Sequence, residues 1–393
     1  MTEIVDWLLE EGRQSDDLAA IVDGLCRRLV AAGVPIRRGN LTFPTIDPTI
    51  GAFRHVWSSE TGMQSDALSP EQTWGAPYLR SPIRYMVESN IPFARWSLDD
   101  AEALEKFPLL AELRAEGMTE YVIRFLSFSK GRTALLGLAL SVATDRAGGF
   151  TDAGLAAIDR TVPALAIVAY RIALSDVAAE TLGAYLGAQT APRVLQGMIR
   201  RGDSQVISAA LLLADLRGFT ALVDRAPGSD VVRWLNEHLA CIGEAVTEHG
   251  GEVLKFLGDG LLAVFPAERH GPDAACGAAL DAALEGCARN RALNASRAAE
   301  GGPTLALSVA LHFGDVVYGN IGMARRLDFT VVGPAVNEVS RMEALGKALG
   351  RELLLSASLA GRCGRPVQSL GRHALRGIAG EREMFVPAPP APA

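Results

Sequence analysis

A hairpin signal lies in the second half of the chain, in the segment GGEVLKFLGDGLLAVF at residues 250–265. Two β-like runs flank Gly258-Asp259-Gly260, and an Asp-Gly turn between such runs is a strong short-range indication of a β-hairpin. The segment therefore predicts antiparallel β-structure. In isolation, Asp259 is most simply a turn residue.

The length and composition predict a globular protein of two domains. The chain has 393 residues, more than one ordinary core accommodates, with 49% hydrophobic and 21% charged residues. A formal net charge of −7 argues against a general nucleic-acid binder, which needs a basic face for the phosphates. Five cysteines are scattered without metal-type spacing, which indicates a reducing compartment instead of a disulfide scaffold.

The sequence predicts a cytoplasmic protein without a membrane span. The N-terminal segment MTEIVDWLLEEGRQ mixes acidic with apolar residues and is unlike a signal peptide. The longest apolar run, TALLGLALSVAT from Thr133, is shorter than the roughly 20 residues that cross a bilayer.

Residues 1–180 predict a mixed α/β domain. The segment SDDLAAIVDGLCRRLVAAGVP has helical periodicity, with Ser15 and Asp16 as candidate caps and Gly33 at its end. The runs LTFPTI, FRHVWSS, YVIRFLSF and RTALLGLALSVAT predict strands. A long helix is expected from near Thr151 and Asp152.

This order of elements resembles a GAF-type sensor domain. The resemblance is best in the last third, where LLGLALSV leads through GGFTD into a terminal helix. It implies a regulatory domain that binds an unknown small molecule. The alternative is a generic α/β dimerisation domain without a ligand. Trp57, Trp74, Tyr78 and Trp96 would line a pocket or pack in the core, and the second is commoner.

A helical connector is expected over residues 181–205, where the Ala-rich chain is interrupted by Gly and Pro near 183–192. Residues 206–388 would form the second domain. The Pro-rich tail at 389–393 is expected to be disordered.

The apolar run in LLLADLRGFTAL, residues 211–222, ends at Asp215. Such a pattern suits a strand that carries a carboxylate to the rim of a sheet, and equally the start of a helix. If the hairpin lies beside it, Asp215 and Asp259 meet and can bind two divalent cations about 3.5–4 Å apart. The backbone N–H groups of Gly218, Phe219 and Thr220 would then be available to phosphate. No Walker motif is present.

The segment LDFTVVGPAVNEVSRMEALG, residues 327–346, predicts a strand followed by a helix that begins near Pro334. Asn337 and Arg341 are four residues apart and share one helical face. They are either a solvated surface pair or, beside a bound triphosphate, groups that orient a ribose and neutralise phosphate charge.

Four segments together resemble class III nucleotidyl cyclase catalytic domains: LADLRGFT, GGEVLKFLGDGLLAVF, VALHFGDVVYGNIG and DFTVVGPAVNEVSRMEAL. Their order and approximate spacing match over roughly residues 206–388. The resemblance implies a ferredoxin-like α+β fold that works as a head-to-tail homodimer. Both active sites would lie at the dimer interface and draw residues from both chains.

The resemblance also implies roles for individual residues. Asp215 and Asp259 correspond to the metal-binding aspartates, and Leu216, next to the first of them, is a further candidate at the metal site. Asn337 corresponds to the residue that orients the ribose, and Arg341 to the arginine that stabilises the transition state.

Lys255 and Thr330 correspond to the base-reading positions, and a threonine at the second of these resembles the class IIIb subgroup. Asp328, two residues earlier, faces the same side of a strand and stays an alternative to Thr330. Arg376 is a candidate for contact with the β- and γ-phosphates, or else a surface arginine.

ATP is the expected substrate. Lys255 is a hydrogen-bond donor only and suits adenine N1, while Thr330 can accept from the N6 amino group. The expected reaction is attack of the ribose 3′-OH on the α-phosphate with Mg²⁺ or Mn²⁺, which yields cyclic AMP and pyrophosphate. A guanylate cyclase and a non-catalytic nucleotide-binding or dimerising signalling protein are the alternatives.

Overall fold

The computed structural model describes residues 2–45, 50–128, 137–200, 202–224, 226–268, 270–323 and 326–389. The chain divides into two compact units, Met1–Thr181 and Leu182–Ala393. Each unit is built on its own β-sheet.

The first unit is a sheet with helices on both faces. Its strands are β1 (Arg38–Pro44), β2 (Ala52–Ser58), β3 (Gly62–Leu68), β4 (Phe93–Ser97), β5 (Glu120–Ser127) and β6 (Gly137–Thr144). Its helices are α1 (Thr2–Gln14), α2 (Leu18–Ala31), α3 (Pro70–Trp74), α4 (Ala76–Leu79), α5 (Pro82–Ser89), α6 (Ala101–Lys106), α7 (Pro108–Ala115) and α8 (Asp152–Leu186), the last of which ends beyond the unit. The strand order is β3-β2-β1-β6-β5-β4, with antiparallel neighbours throughout.

Two apolar clusters hold this unit together, one on each face of the sheet. Side chains of α1, α2 and α8 cover one face, and those of α5, α6 and α7 cover part of the other. The helix predicted after Ser15 is α2, but its N-cap is Asp17, not Ser15 or Asp16. The helix begins at Leu18, so the Asp17 carboxylate is the group that reaches the Ala20 N–H, at 2.9 Å. The strand predicted from Arg132 is described from Gly137 onward as β6, and its first residues lie outside the described ranges.

The four aromatic residues noted in the sequence have different environments. Trp57 is buried in the core, and Trp96 packs against the second cluster. Trp74 and Tyr78 instead line a cavity of about 1210 Å³ in the first unit. The floor of that cavity includes polar side chains of the sheet, among them Asn40 and Ser141.

Helix α8 is long and apolar enough to cross a membrane by length and composition, and it is the one such helix found in the described residues. Of its most apolar window, 39% is buried within the protein. Core helices of soluble proteins meet the same criteria, so this observation is weak evidence for a membrane span. The apolar stretch of α8 is nevertheless longer than the run from Thr133, on which the expectation of no membrane span was based.

The second unit begins with the end of α8. Its further helices are α9 (Thr190–Leu195), α10 (Phe219–Val223), α11 (Gly228–Glu248), α12 (Pro272–Ala299), α13 (Pro334–Ala348) and α14 (Ala357–Ala360). Its strands are β7 (Ser204–Arg217), β8 (Glu252–Leu257), β9 (Gly260–Pro266), β10 (Ala306–Met323), β11 (Arg326–Val332), β12 (Leu353–Ser356), β13 (Val367–Ala374) and β14 (Glu381–Pro387). Residues 390–393 of the predicted tail lie outside the described ranges.

The sheet of the second unit has the order β13-β14-β12-β10-β7-β9-β8, with β11 paired to β10. The pairs are antiparallel except for β10 with β12. Both faces are covered, by α11 and α12 on one side and α13 on the other. This explains why β7 reads as a continuous apolar run, because alternate residues enter different cores.

The alternation along β7 determines which way Asp215 points. Leu212, Ala214 and Leu216 belong to the cluster with α11 and α12, whereas Ile207, Ala209 and Leu211 belong to the cluster with α13. An odd-numbered residue therefore faces α13, since successive side chains in a strand alternate between faces. Asp215 follows that alternation and lies on the α13 side.

Candidate functional site

Asp215 lies near the end of β7, between two neighbouring strands. It is opposite Gly260 of β9 and Ser308 of β10. Its side chain is 22% exposed, so a carboxylate is held at the rim of an otherwise buried strand. The sequence left open whether Asp215 lies at the end of a strand or at the start of a helix. In the structure it lies in a strand.

Asp259 lies in the turn between β8 and β9, next to Asp215. Its carbonyl oxygen accepts a hydrogen bond from the Leu216 N–H at 3.3 Å. Gly258 has a φ of +69°, a left-handed conformation that glycine adopts at little cost. At Gly260 a Cβ would lie 2.4 Å from the Ala214 carbonyl oxygen. Glycines on both sides of Asp259 thus permit the tight turn and the close approach to β7.

Helix α13 brings a cation to this rim. The Lys347 ammonium forms an ion pair with Asp215 Oδ2 and lies 3.2 Å from Glu343 Oε1. Glu343 is 10% exposed at its side chain, and burial raises the pKa of its carboxyl group. Sequence reasoning missed both residues; the signal present was their i,i+4 spacing, which is also common on helix surfaces.

Lys255 projects from β8 towards Asp328 of β11, with Nζ 3.4 Å from Oδ2. Thr330, two residues further along β11, is 4% exposed, and its Oγ1 has no hydrogen-bond partner among the described residues. Asp328 is 60% exposed at its side chain. Lys255 is therefore paired with Asp328, the alternative to Thr330, while the buried hydroxyl of Thr330 is unpaired among the described residues.

The loop after β7 has the geometry of a tight turn. Gly218 has a φ of +80° and precedes the single-turn helix α10. Phe219 is buried and Thr220 exposed. A phosphate contact by their N–H groups stays a prediction.

Asn337 and Arg341 lie exposed on α13, and Arg376 is exposed between β13 and β14. The described part of the chain shows no side-chain hydrogen bond or ion pair for any of the three. Arg341 is two residues from Glu343, which is about 200° around a helix, so it points away from the face that reaches Asp215. Arg341 and the Glu343–Lys347 pair thus lie on different faces of α13 within one chain.

A divalent cation fits the donor set at this rim. Mg²⁺ and Mn²⁺ prefer carboxylate oxygens, and Asp215 and Asp259 supply two of them. The Lys347 ammonium already occupies a cation position at Asp215. No group of three or more His, Cys, Asp or Glu side chains suited to a metal occurs in the described residues. The remaining ligands would therefore be backbone, water or substrate oxygens.

Comparison with known proteins gives related sequences over the second unit. Residues 203–386 match the profile of the family described as "Adenylate and Guanylate cyclase catalytic domain". An adenylate cyclase of Anabaena cylindrica is 33% identical over 163 residues, which cover 41% of this chain and 32% of that protein. Adenylate cyclase 1 of Rhizobium meliloti is 30% identical over 157 residues, which cover 39% of this chain and 23% of that protein. The matched region is thus about a third of these curated relatives or less.

Comparison with solved structures gave matches to both kinds of cyclase. The adenylyl cyclase CyaB from P. aeruginosa aligns over 46% of this chain and 94% of its own, with a TM-score of 0.43 and 23% identity. The guanylyl cyclase Cya2 aligns over 47% and 93%, with a TM-score of 0.42 and 27% identity.

Proposed function

Because residues 203–386 are a class III nucleotidyl cyclase catalytic domain, we propose that this protein is an adenylate cyclase that converts ATP to 3′,5′-cyclic AMP and pyrophosphate. The observation that carries the proposal is the pair of carboxylates at one rim of the sheet: Asp215 near the end of β7, and Asp259 in the β8–β9 turn that packs beside it. The named relatives at 30–33% identity are adenylate cyclases.

Asp215 and Asp259 would hold two divalent cations, Mg²⁺ or Mn²⁺, with the backbone of Leu216 beside them. When bound, such ions lower the pKa of the ribose 3′-OH and neutralise charge on the triphosphate. The protein itself positions the reacting groups. The turn at Gly258 and the close approach at Gly260 hold the Asp259 main chain against β7, so both carboxylates are oriented before the substrate arrives. The N–H groups of Gly218, Phe219 and Thr220 and the Arg376 guanidinium would contact phosphate oxygens.

Adenine is favoured over guanine by the chemistry of Lys255 and Thr330. Lys255 donates to adenine N1, and Thr330 Oγ1 accepts from the N6 amino group. The unpaired, buried hydroxyl of Thr330 supports this role, because a buried polar atom without a partner costs about 1–3 kcal/mol that a ligand can recover. Asp328 then holds Lys255 only until the base arrives.

The active form would be a homodimer with shared sites. Arg341 lies on a face of α13 that points away from Asp215, Asn337 lies one turn before it, and neither has a side-chain partner among the described residues. A second copy of the chain supplies a nucleotide for them to contact: Asn337 orients the ribose and Arg341 neutralises charge in the transition state.

The first unit would be a GAF-like regulatory domain. Its antiparallel sheet and its cavity of about 1210 Å³, large enough for a small molecule, support that role. A ligand would act by binding two states of the dimer with different affinity.

We place the protein in the cytoplasm, since all five cysteines are free and many side chains of α8 lie in the core of the first unit.

Nucleotide turnover by the purified full-length protein tests the proposal. ATP and GTP are compared with Mg²⁺ or Mn²⁺, beside Asp215→Ala. We expect cyclic AMP from ATP, and a loss of at least about 100-fold in Asp215→Ala because the metal site loses one of its two carboxylates. Product from GTP alone would favour a guanylate cyclase. No product from either nucleotide, in the full chain and in the 206–388 fragment, would favour a non-catalytic binding protein.

A further inference from the structure

Lys347 connects two carboxylates that come from different elements. Its ammonium is ion-paired with Asp215 of β7 and lies 3.2 Å from Glu343, one turn earlier on α13. The side chains are 35%, 22% and 10% exposed for Lys347, Asp215 and Glu343. The three groups are thus partly shielded from water, where an ion pair is stronger than at an open surface.

Among the described residues, no second basic side chain forms an ion pair with Asp215. The nearby Arg217 guanidinium donates to the carbonyl oxygens of Gly346 and Arg351. Within the described ranges, Lys347 is the only basic side chain in an ion pair with Asp215, and Asp259 forms no ion pair. The positive charge at the rim therefore comes from one flexible side chain, whose four-carbon stem allows the ammonium to swing away.

From this contact we infer that Lys347 is a positioning residue that holds Asp215 in the absence of metal and competes with the divalent cation for it. The inference rests on the proposed metal site. A cation that binds Asp215 must displace the ammonium, which can stay paired with Glu343 on the same helix. The i,i+4 pair with Glu343 gives the displaced side chain a fixed second position.

Metal binding without nucleotide tests this inference. The probe is Mn²⁺ alone, measured by loss of the free-ion EPR signal on the full-length protein. We expect Lys347→Met to bind Mn²⁺ about tenfold more tightly than wild type, which corresponds to about 1.4 kcal/mol. Lys347→Arg keeps the charge and should stay within about threefold of wild type. Lys106→Met, a matched change in the first unit, should leave Mn²⁺ binding unaltered.

Two further variants define the outcomes. Lys347→Gln repeats the test if the methionine variant misfolds by circular dichroism. Asp215→Asn in the Lys347→Met background should abolish the gain. An affinity in Lys347→Met equal to or weaker than wild type overturns the inference, and so does a gain that survives Asp215→Asn. No Mn²⁺ binding by any variant overturns both the inference and the metal site. A gain without cyclic nucleotide synthesis by any variant leaves the inference standing and removes the proposed function.

Discussion

Thr330 is buried and its hydroxyl is unpaired among the described residues, a combination that is unusual in a folded protein. A structural threonine at such a position would normally donate to a nearby carbonyl, as Thr161 does to Ile158. Thr190 gives a comparison within the same unit: it is fully buried, and its Oγ1 lies 2.7 Å from the Tyr318 hydroxyl. Substitution by valine is therefore expected to affect stability at Thr190 but not at Thr330.

We predict that Thr330→Val lowers kcat/KM for ATP about 10-fold without loss of stability. Valine matches the shape of threonine and removes a hydroxyl that has no partner in the unliganded protein, whereas the ATP complex loses an acceptor for N6. Thr190→Val should cost about 1 kcal/mol of unfolding free energy. Denaturant unfolding and steady-state kinetics measure both effects. If Thr330→Val leaves ATP kinetics unchanged and Asp328→Ala impairs them, Asp328 is the base-reading residue.

A buried carboxylate of the sheet accepts hydrogen bonds from the segment between α8 and β7. Glu252, at the start of β8, is 3% exposed and accepts from the N–H groups of Gln189 and Thr190, at 3.0 and 2.8 Å. Its other oxygen accepts from the Tyr318 hydroxyl at 3.0 Å, and burial raises the pKa of that tyrosine. The start of α9 is thus joined to the strand that carries Lys255, three residues further on.

Glu252→Gln should loosen this junction. A glutamine has one side-chain oxygen and an NH₂ group. Its oxygen can therefore replace one of the two carboxylate acceptors, either the one for the two N–H groups or the one for the tyrosine hydroxyl, but not both. We expect a loss of about 1.5–3 kcal/mol in unfolding free energy, the range for hydrogen bonds to charged groups. Hydrogen exchange should rise first in residues 187–195. Glu248→Gln, at an exposed pair with Arg289, is the matched control and should change stability by less than about 1 kcal/mol. Equal exchange in both variants would contradict the proposed attachment.

Shared active sites make a prediction for mixtures of inactive chains. In a head-to-tail dimer, each site takes its aspartates from one chain and its Asn337 and Arg341 from the other. Asp215→Ala and Arg341→Ala should each be inactive alone. When the two are mixed in equal amounts, half the dimers are mixed and each has one intact site. Activity should therefore return to about a quarter of wild type.

The matched control is a mixture of Asp215→Ala with Asp259→Ala. Both aspartates belong to the same half of the site, so every mixed dimer has one defect in each site and no activity should return. Recovery in this control, or none in the first mixture, would contradict shared sites. Cyclic AMP synthesis after refolding or subunit exchange is the readout.

The resemblance of four segments to known cyclases was sufficient to predict a class III cyclase catalytic domain, which the family match over residues 203–386 confirmed. Local patterns by themselves predicted less: a hairpin at the Gly-Asp-Gly turn, and a strand end or helix start at Asp215. The mixed α and β content of that domain was also predicted correctly. These features depend on turn geometry and side-chain alternation, which are encoded within a few neighbouring residues. The GAF-like character of the first unit and the individual roles of the site residues stay predictions.

Only the tertiary packing determined which side chains surround Asp215, Lys255 and the other site residues. Glu343 and Lys347 read as an ordinary surface pair, because nothing local shows that α13 packs on the face of β7 to which Asp215 points. The partner of Lys255 likewise depends on the distance between β8 and β11, which are 73 residues apart at the contact with Asp328. Sequence spacing predicts which residues share a strand or helix face, but the register between distant elements arises only when both cores close around the sheet.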